Sequence, residues 1–254
     1  MLRPRIIPCL LIQNGVLVKT VSFKDPAYVG DPLNAVRIYN EKEVDELIVI
    51  DIDATRSGIG PNYNLIKMIA SECRMPLTYG GGVNTLEHFD KIIGLGVEKV
   101  AISKAAVDNP KIIAEASNRV GSQSVVVVID YSRNSKASKI NINTLNATQS
   151  TDLDAVEFLK MVQELGAGEI LLNSIDRDGK MNGYDIDTIR DLRKHINTPL
   201  TVLGGAGSDV DIQRLFSEFD LVGAAAGSLF VFKGKYKAVL INYPSRQRRK
   251  VLGI

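Results

Sequence analysis

The stretch Glu46-Leu47-Ile48-Val49-Ile50-Asp51-Ile52-Asp53 returns later in the chain as Glu169-Ile170-Leu171-Leu172-Asn173-Ser174-Ile175-Asp176. A second pair, Pro76-Leu77-Thr78-Tyr79-Gly80-Gly81-Gly82 and Pro199-Leu200-Thr201-Val202-Leu203-Gly204-Gly205, is separated by the same 123 residues, since 176 − 53 and 199 − 76 agree. Two unrelated segments rarely share one offset, so the chain reads as a duplicated half. Each half holds four apolar, strand-like runs separated by amphipathic helical stretches. Eight such runs predict an α/β chain closed into a parallel (β/α)8 TIM barrel with pseudo-two-fold symmetry.

The runs are expected near Ile6–Leu11, Glu46–Asp51, Pro76–Tyr79, Lys99–Ile102, Ser124–Asp130, Glu169–Ser174, Leu200–Leu203 and Leu221–Ala226. They are apolar or β-branched and end in small or polar residues, the pattern of strands buried on both faces. Helix starts are legible between them. Asp31-Pro32 and Asn109-Pro110 each set a capping side chain before a proline suited to the first helical turn. Ser208 and Asp209 open a helix carrying Ile212, Leu215 and Phe216. Alternation over the whole length predicts one domain, residues 1–254, with right-handed crossovers. One connection is uneconomical: Tyr131–Asp152, a long polar loop after the fifth strand, reads either as a lid over a substrate or as a small solvated hairpin.

At 254 residues the chain suits one such barrel. A net charge of +2 argues against nucleic acid or an anionic membrane as partner. Two cysteines, Cys9 and Cys73, make no disulfide framework and suit a reducing cytosol. The run Ile6–Ile12 is too short for a membrane span or signal sequence, so a cytoplasmic protein is expected. His88 and His195 lack ligand spacing, and neither a metal nor any other cofactor is expected. The basic cluster Arg246, Arg248, Arg249 and Lys250 reads as a solvated tail, contact with a partner chain being the alternative.

Three constellations could carry chemistry. The glycine turns Gly80-Gly81-Gly82 and Gly204-Gly205-Ala206-Gly207 follow the third and seventh strands, where bare backbone N–H groups can approach an anion. Each is expected to be joined by the next loop, Ser103-Lys104 in one half and Gly227-Ser228 in the other. Two such sites imply a long substrate phosphorylated at both ends. Asp130 ends the fifth strand after the apolar run Val125–Ile129, where burial would raise its pKa and make it a proton carrier. Opposite it on the first strand stands Leu11, which can carry no proton. At the N-terminal ends of the strands Arg5, Glu46, Lys99 and Glu169 would close a charged ring. From spacing alone, a stabilising ring is the plainer reading.

Arg5-Ile6-Ile7-Pro8-Cys9-Leu10, the Gly80–Gly82 turn, Val126–Asp130 and the stretch GEILLNSIDRDG at Gly168–Gly179 together resemble the HisF-type cyclase subunit of imidazole glycerol phosphate synthase, which uses ammonia in histidine biosynthesis. The resemblance runs from the N-terminus to about Phe232. It implies a barrel that docks a glutaminase subunit on its N-terminal face. Ammonia would pass the Arg5, Glu46, Lys99 and Glu169 gate and cross the interior. At the other face it would react with a phosphoribulosyl-formimino carboxamide ribonucleotide. By resemblance Lys19 lies on a mobile loop after the first strand, and Asp130 is a catalytic carboxylate. Asp178, Gly179, Gly205 and Ser228 stand around one phosphate by the same resemblance, while the glycine turns add Gly204 and Gly227 there and set Gly81, Gly82, Ser103 and Lys104 around the other.

The departures lie on the reaction face. Family cyclases have an aspartate at Leu11, an Asn-Thr pair at Ser103-Lys104 and a serine at Leu203. Divergent second copies that resemble this chain, including its Phe230–Pro244 stretch (FVFKGKYKAVLINYP), accompany surface-polysaccharide (lipopolysaccharide) amidotransfer systems. Two functions are therefore expected to compete. One is a cyclase weakened by Leu11. The other is an ammonia conduit or activator serving a sugar amidotransferase.

Overall fold

The computed structural model describes residues 3–134 and 139–252. Eight strands lie parallel: β1 (Arg5–Gln13), β2 (Leu47–Asp51), β3 (Leu77–Gly80), β4 (Lys99–Ile102), β5 (Val125–Asn134), β6 (Glu169–Ser174), β7 (Leu200–Leu203) and β8 (Val222–Ala226). Each pairs with its sequence neighbour, and β8 returns to β1 through Arg5↔Gly223, Ile6↔Ala224, Ile7↔Ala225 and Pro8↔Ala226. The sheet is closed, as the eight apolar runs predict.

Because side chains alternate along a strand, closure sorts them into two cores. Ile7, Cys9, Ile48, Ala101, Val126, Leu171 and Ala225 pack together as one small cluster, joined by Leu11, Ile50, Val128 and Leu203. A larger cluster holds the alternate set, including Ile6, Leu10, Leu47, Val127, Leu172 and Ala224, against the surrounding helices. Small residues on β8 (Gly223, Ala224, Ala225) let neighbours close in: a Cβ on Gly223 would stand 2.2 Å from the Thr201 hydroxyl.

Seven principal helices follow the first seven strands: α1 (Pro32–Glu41), α2 (Tyr63–Glu72), α3 (Leu86–Gly94), α4 (Lys111–Val120), α5 (Ala155–Glu164), α6 (Ile186–Arg193) and α7 (Asp209–Glu218). Asp31 caps α1 with Pro32 as its first residue. Ser208 and Asp211 form a reciprocal capping box on α7. Asn109 does not cap α4, because it ends the short helix Lys104–Asp108 and only its backbone carbonyl accepts the Ile112 amide.

Two regions depart from the sequence reading, and a third takes one of its two expected forms. Within Tyr131–Asp152 residues 135–138 lie outside the described residues, and the rest forms a hairpin. β5 runs on to Asn134, and Lys139–Thr144 returns antiparallel to it, with Ile142 and Thr144 buried. The segment after β1 also folds as a hairpin, Val16–Val21 against Lys24–Gly30. After β8 no long eighth helix appears among the described residues. A short hairpin (Phe232–Lys233 with Ala238–Val239) is followed by the C-terminal helix Arg246–Val251. That helix is not a free tail, since Arg249 reaches the Glu43 carbonyl at 2.9 Å and the Asp45 carboxylate at 3.4 Å.

The larger core holds most of the buried apolar side chains. Leu172→Ala, at a side chain with no exposure, should cost about 2–5 kcal/mol. Chemical denaturation should show a lower midpoint with an unchanged slope.

Candidate active site

The C-terminal ends of the strands enclose a cavity of about 150 Å³. Its wall includes Leu11, Lys19, Gly81, Ser103, Asp130 and Asn173, and continues through Asp178, Gly179, Gly204, Gly205, Gly227 and Ser228. Of the residues expected around substrate, Gly82 and Lys104 are not among its lining. Lys104 instead bonds Asp108 at 2.7 Å, one helical turn on.

Asp130 lies at the cavity floor. Asn173 Nδ2 donates to Asp130 Oδ1 at 2.8 Å and Ser103 Oγ to Oδ2 at 3.2 Å. Burial pushes the carboxyl up to about 6, against the opposing pull of those two hydrogen bonds. A carboxyl that titrates near neutrality can both give and take a proton. Around it Leu11, Ile50, Val128, Leu171 and Leu203 carry no proton, while Asp51, whose carboxyl burial pushes up, lines the same cavity. Asn173 was not singled out from sequence. Its signal was faint: a polar residue ending an apolar strand, where the other half carries Ile50.

The two glycine turns are built alike. A Cβ on Gly81 would meet the Asp51 carbonyl at 2.4 Å, and one on Gly204 the Ser174 carbonyl at 2.7 Å. A Cβ on Gly82 would strike Ile59 and Gly60, and one on Gly205 would strike Gly183. These pairs repeat the 123-residue offset. All four glycines have positive φ, between 71° and 120°. The glycines are required by backbone crowding as well as by any ligand.

The hairpin after β1 closes one side of the cavity. Lys19 belongs to a strand, not a loop, and its side chain is buried with Nζ on the Cys9 carbonyl. Burial lowers its pKa. Gly227 leaves room for it, since a Cβ there would overlap the ammonium. Asp178 clamps the hairpin: its carboxylate accepts from Thr20 Oγ1 (2.7 Å) and the Phe23 amide (3.0 Å), and its carbonyl from the Ser22 amide (3.0 Å). Gly179 packs against the Thr20 carbonyl too closely for any side chain. On the other side the hairpin after β5 contributes Leu145 and Asn146. Asn146 Nδ2 donates to the Ile52 carbonyl at 2.9 Å, and Leu145, Asn146 and Ala147 are all left-handed. The region expected as lid or solvated hairpin is thus a hairpin that reaches the cavity.

At the opposite end of the barrel the four charges form a closed ring. Arg5 meets Glu46 at 2.6 Å and Glu169 at 3.1 Å, while Lys99 meets Glu46 at 3.3 Å and Glu169 at 2.8 Å. Thr201 Oγ1 donates to Glu169 at 2.5 Å. Burial alone would push Glu169 up, but Arg5 and Lys99 outweigh it and hold the carboxyl below its usual range. Between ring and cavity lies the apolar inner cluster.

The raised pKa of Asp130 has a sign that can be measured. Well below pH 4 the carboxyl is neutral whether the chain is folded or not, and it contributes no penalty. Between about pH 4 and 6 the unfolded chain has released the proton while the folded chain still holds it, so the penalty of the buried group builds across that window and is complete above 6. Asp130→Asn, with Asn173 free to turn its amide, should therefore exceed the natural chain in stability by about 1–3 kcal/mol at pH 8. The difference should shrink towards zero at pH 4 in thermal unfolding.

Comparison with known proteins agrees with this geometry. A family model described as "Histidine biosynthesis protein" matches residues 5–237. A Vibrio vulnificus protein provisionally named imidazole glycerol phosphate synthase subunit hisF3 is 57% identical over 250 residues, 98% of this chain and 96% of its own. One from Leptospira interrogans, provisionally named imidazole glycerol phosphate synthase subunit HisF, is 52% identical over 252 residues, 99% of each. The imidazole glycerol phosphate synthase subunit HisF of Lactococcus lactis is 40% identical over 233 residues, 91% of this chain and 89% of its own. With a closed barrel, a charged ring at one end and a carboxylate-floored cavity at the other, the chain belongs to the histidine biosynthesis protein family, in its HisF-type branch of imidazole glycerol phosphate synthase subunits.

Proposed function

We propose that this chain is a cyclase-type subunit that takes ammonia from a glutaminase partner and acts on a ribonucleotide phosphorylated at both ends. The observation that carries the reading is the order of groups along one axis. A buried ion-pair ring stands at the N-terminal end, an apolar interior follows, and a cavity with a titrating carboxylate closes the other end.

In this reading Lys99 is the movable member of the gate. Swinging it away leaves Arg5 still paired to both carboxylates, so the ring opens without abandoning a buried charge. Neutral ammonia crosses the apolar interior, which disfavours ammonium, and arrives beside Asp130. There Asp130, held by Asn173 and Ser103, accepts a proton as the nitrogen bonds to the substrate and returns one during ring closure. The glycine turns and the end of β8 receive the phosphates. With Leu11 in place of a second proton carrier, cyclisation should run roughly 10²–10⁴-fold slower than with both groups present.

A second reading is favoured by the apolar cavity wall at Leu11 and Leu203 and by the engagement of Lys104 with Asp108. In it the barrel keeps the gate and conduit but delivers ammonia to a sugar amidotransferase of surface-polysaccharide synthesis. Turnover of the ribonucleotide with saturating ammonium salt separates the two. The cyclase reading expects measurable turnover that Leu11→Asp raises by at least tenfold. No turnover by either form would leave the conduit reading.

Lys99→Ala tests the gate. Glutamine-dependent turnover should change while turnover with free ammonium stays within about twofold. Equal loss in both would sink the gate.

A further inference from the structure

The rim beside the gate carries a second feature that neither the ring nor the cavity uses. A crevice of about 440 Å³ opens on the N-terminal face, lined by Arg3, Asp45 and Glu43 with Arg246, Arg249 and Lys250 of the C-terminal helix. Asp45 is its fixed centre, with a side chain only 3% exposed. It accepts from the Ile6 amide at 2.9 Å and pairs with Arg3 at 3.0 Å and Arg249 at 3.4 Å. Tyr243 locks the arrangement: its hydroxyl donates to the Ile6 carbonyl at 2.9 Å and accepts from the Asp45 amide at 3.2 Å, while Arg249 stacks over its ring.

The ion pairs spend Asp45 on Arg3 and Arg249. Arg246 and Lys250, four residues apart and so on one side of the helix, form no salt bridge among the described residues and are exposed. The chain has seven lysines and arginines and no acidic residue after Asp220, so among the described residues lining the crevice only Asp45, already paired, and the exposed Glu43 stand against its cations. The position matters as much as the charge. Asp45 immediately precedes gate residue Glu46, and Arg3 lies two residues before gate residue Arg5. A protein that feeds ammonia through the ring must seal this rim against water, and in doing so it covers the crevice.

We propose that this crevice is the charge-selective part of the partner interface, taking acidic side chains of the ammonia-supplying subunit on Arg246 and Lys250. This rests on the glutaminase reading above and adds the chemistry of the contact. Apolar packing would supply most of the affinity, and the crevice would decide which ammonia source docks, because a basic or neutral counter-surface would leave these cations facing unmatched groups.

The test measures binding of a purified glutaminase subunit of the imidazole glycerol phosphate synthase type by titration calorimetry, at low and physiological salt. The full-length chain is compared with the double variant Arg246→Glu/Lys250→Glu and the milder Arg246→Ala/Lys250→Ala. Charge reversal should weaken binding at least tenfold and flatten its salt dependence, with the alanine form intermediate. Turnover with free ammonium and the thermal midpoint should be unchanged in both. A natural chain that binds with affinity indifferent to both substitutions would overturn the crevice and leave the glutaminase reading standing. A natural chain that forms no complex would overturn the glutaminase reading, and this proposal with it.

Discussion

Everything in this molecule depends on the closure of eight parallel strands. Once β8 pairs with β1, every second residue of each strand has only the interior to occupy. That interior is too narrow for solvent and must be filled by the side chains sent into it. Its contents read as a column: Arg5, Glu46, Lys99 and Glu169 at one end, Ile7, Cys9, Ile48, Ala101, Val126, Leu171 and Ala225 in the middle, and Asp130 with Asn173 at the other. Two polar stations are thus separated by an apolar stretch.

The ring adds little to the net stability of the fold. Removing four charges from water costs several kcal/mol per ion, and well-packed apolar residues would often serve the fold as well. The ring survives because it is closed: each charge has two opposite partners, so none is stranded. Asp130 meets the same desolvation with neutral donors only. Its charge is therefore not matched, and its pKa rises instead of falling. The same physics holds Glu169 ionised and leaves Asp130 ready to exchange a proton.

Two hairpins and the C-terminal helix supply what the barrel lacks. Asp178, which the family resemblance sets beside a phosphate, is here engaged by Thr20, Ser22 and Phe23 and so couples the loop after β6 to the hairpin after β1. Both side-chain bonds fall on Asp178 Oδ2, which leaves Oδ1 outside the clamp. The segment after β8 folds back on the rim, where Tyr243 and Arg249 anchor it around Asp45. The two hairpins stand at matching places, after the first strand of each half, whereas the C-terminal helix has no counterpart among the described residues of the first half.

The sequence by itself determined the barrel, its duplication and the members of the ring. Strand alternation and a 123-residue offset are local, periodic signals, and Glu46 and Glu169 inherit their opposition from that symmetry. It also marked Asp130 and the glycine turns, whose crowding against Asp51, Ser174, Ile59 and Gly183 the structure explains. Only tertiary structure decided that Asn173 holds Asp130, that Lys104 turns to Asp108, that Lys19 threads a hairpin to reach the Cys9 carbonyl, and that Tyr131–Asp152 folds back to touch Ile52. The physical reason is that these contacts join side chains on elements with no fixed offset between them. Periodicity assigns a residue to a face, but which neighbour it finds there depends on strand stagger and on hairpins that carry no period of their own.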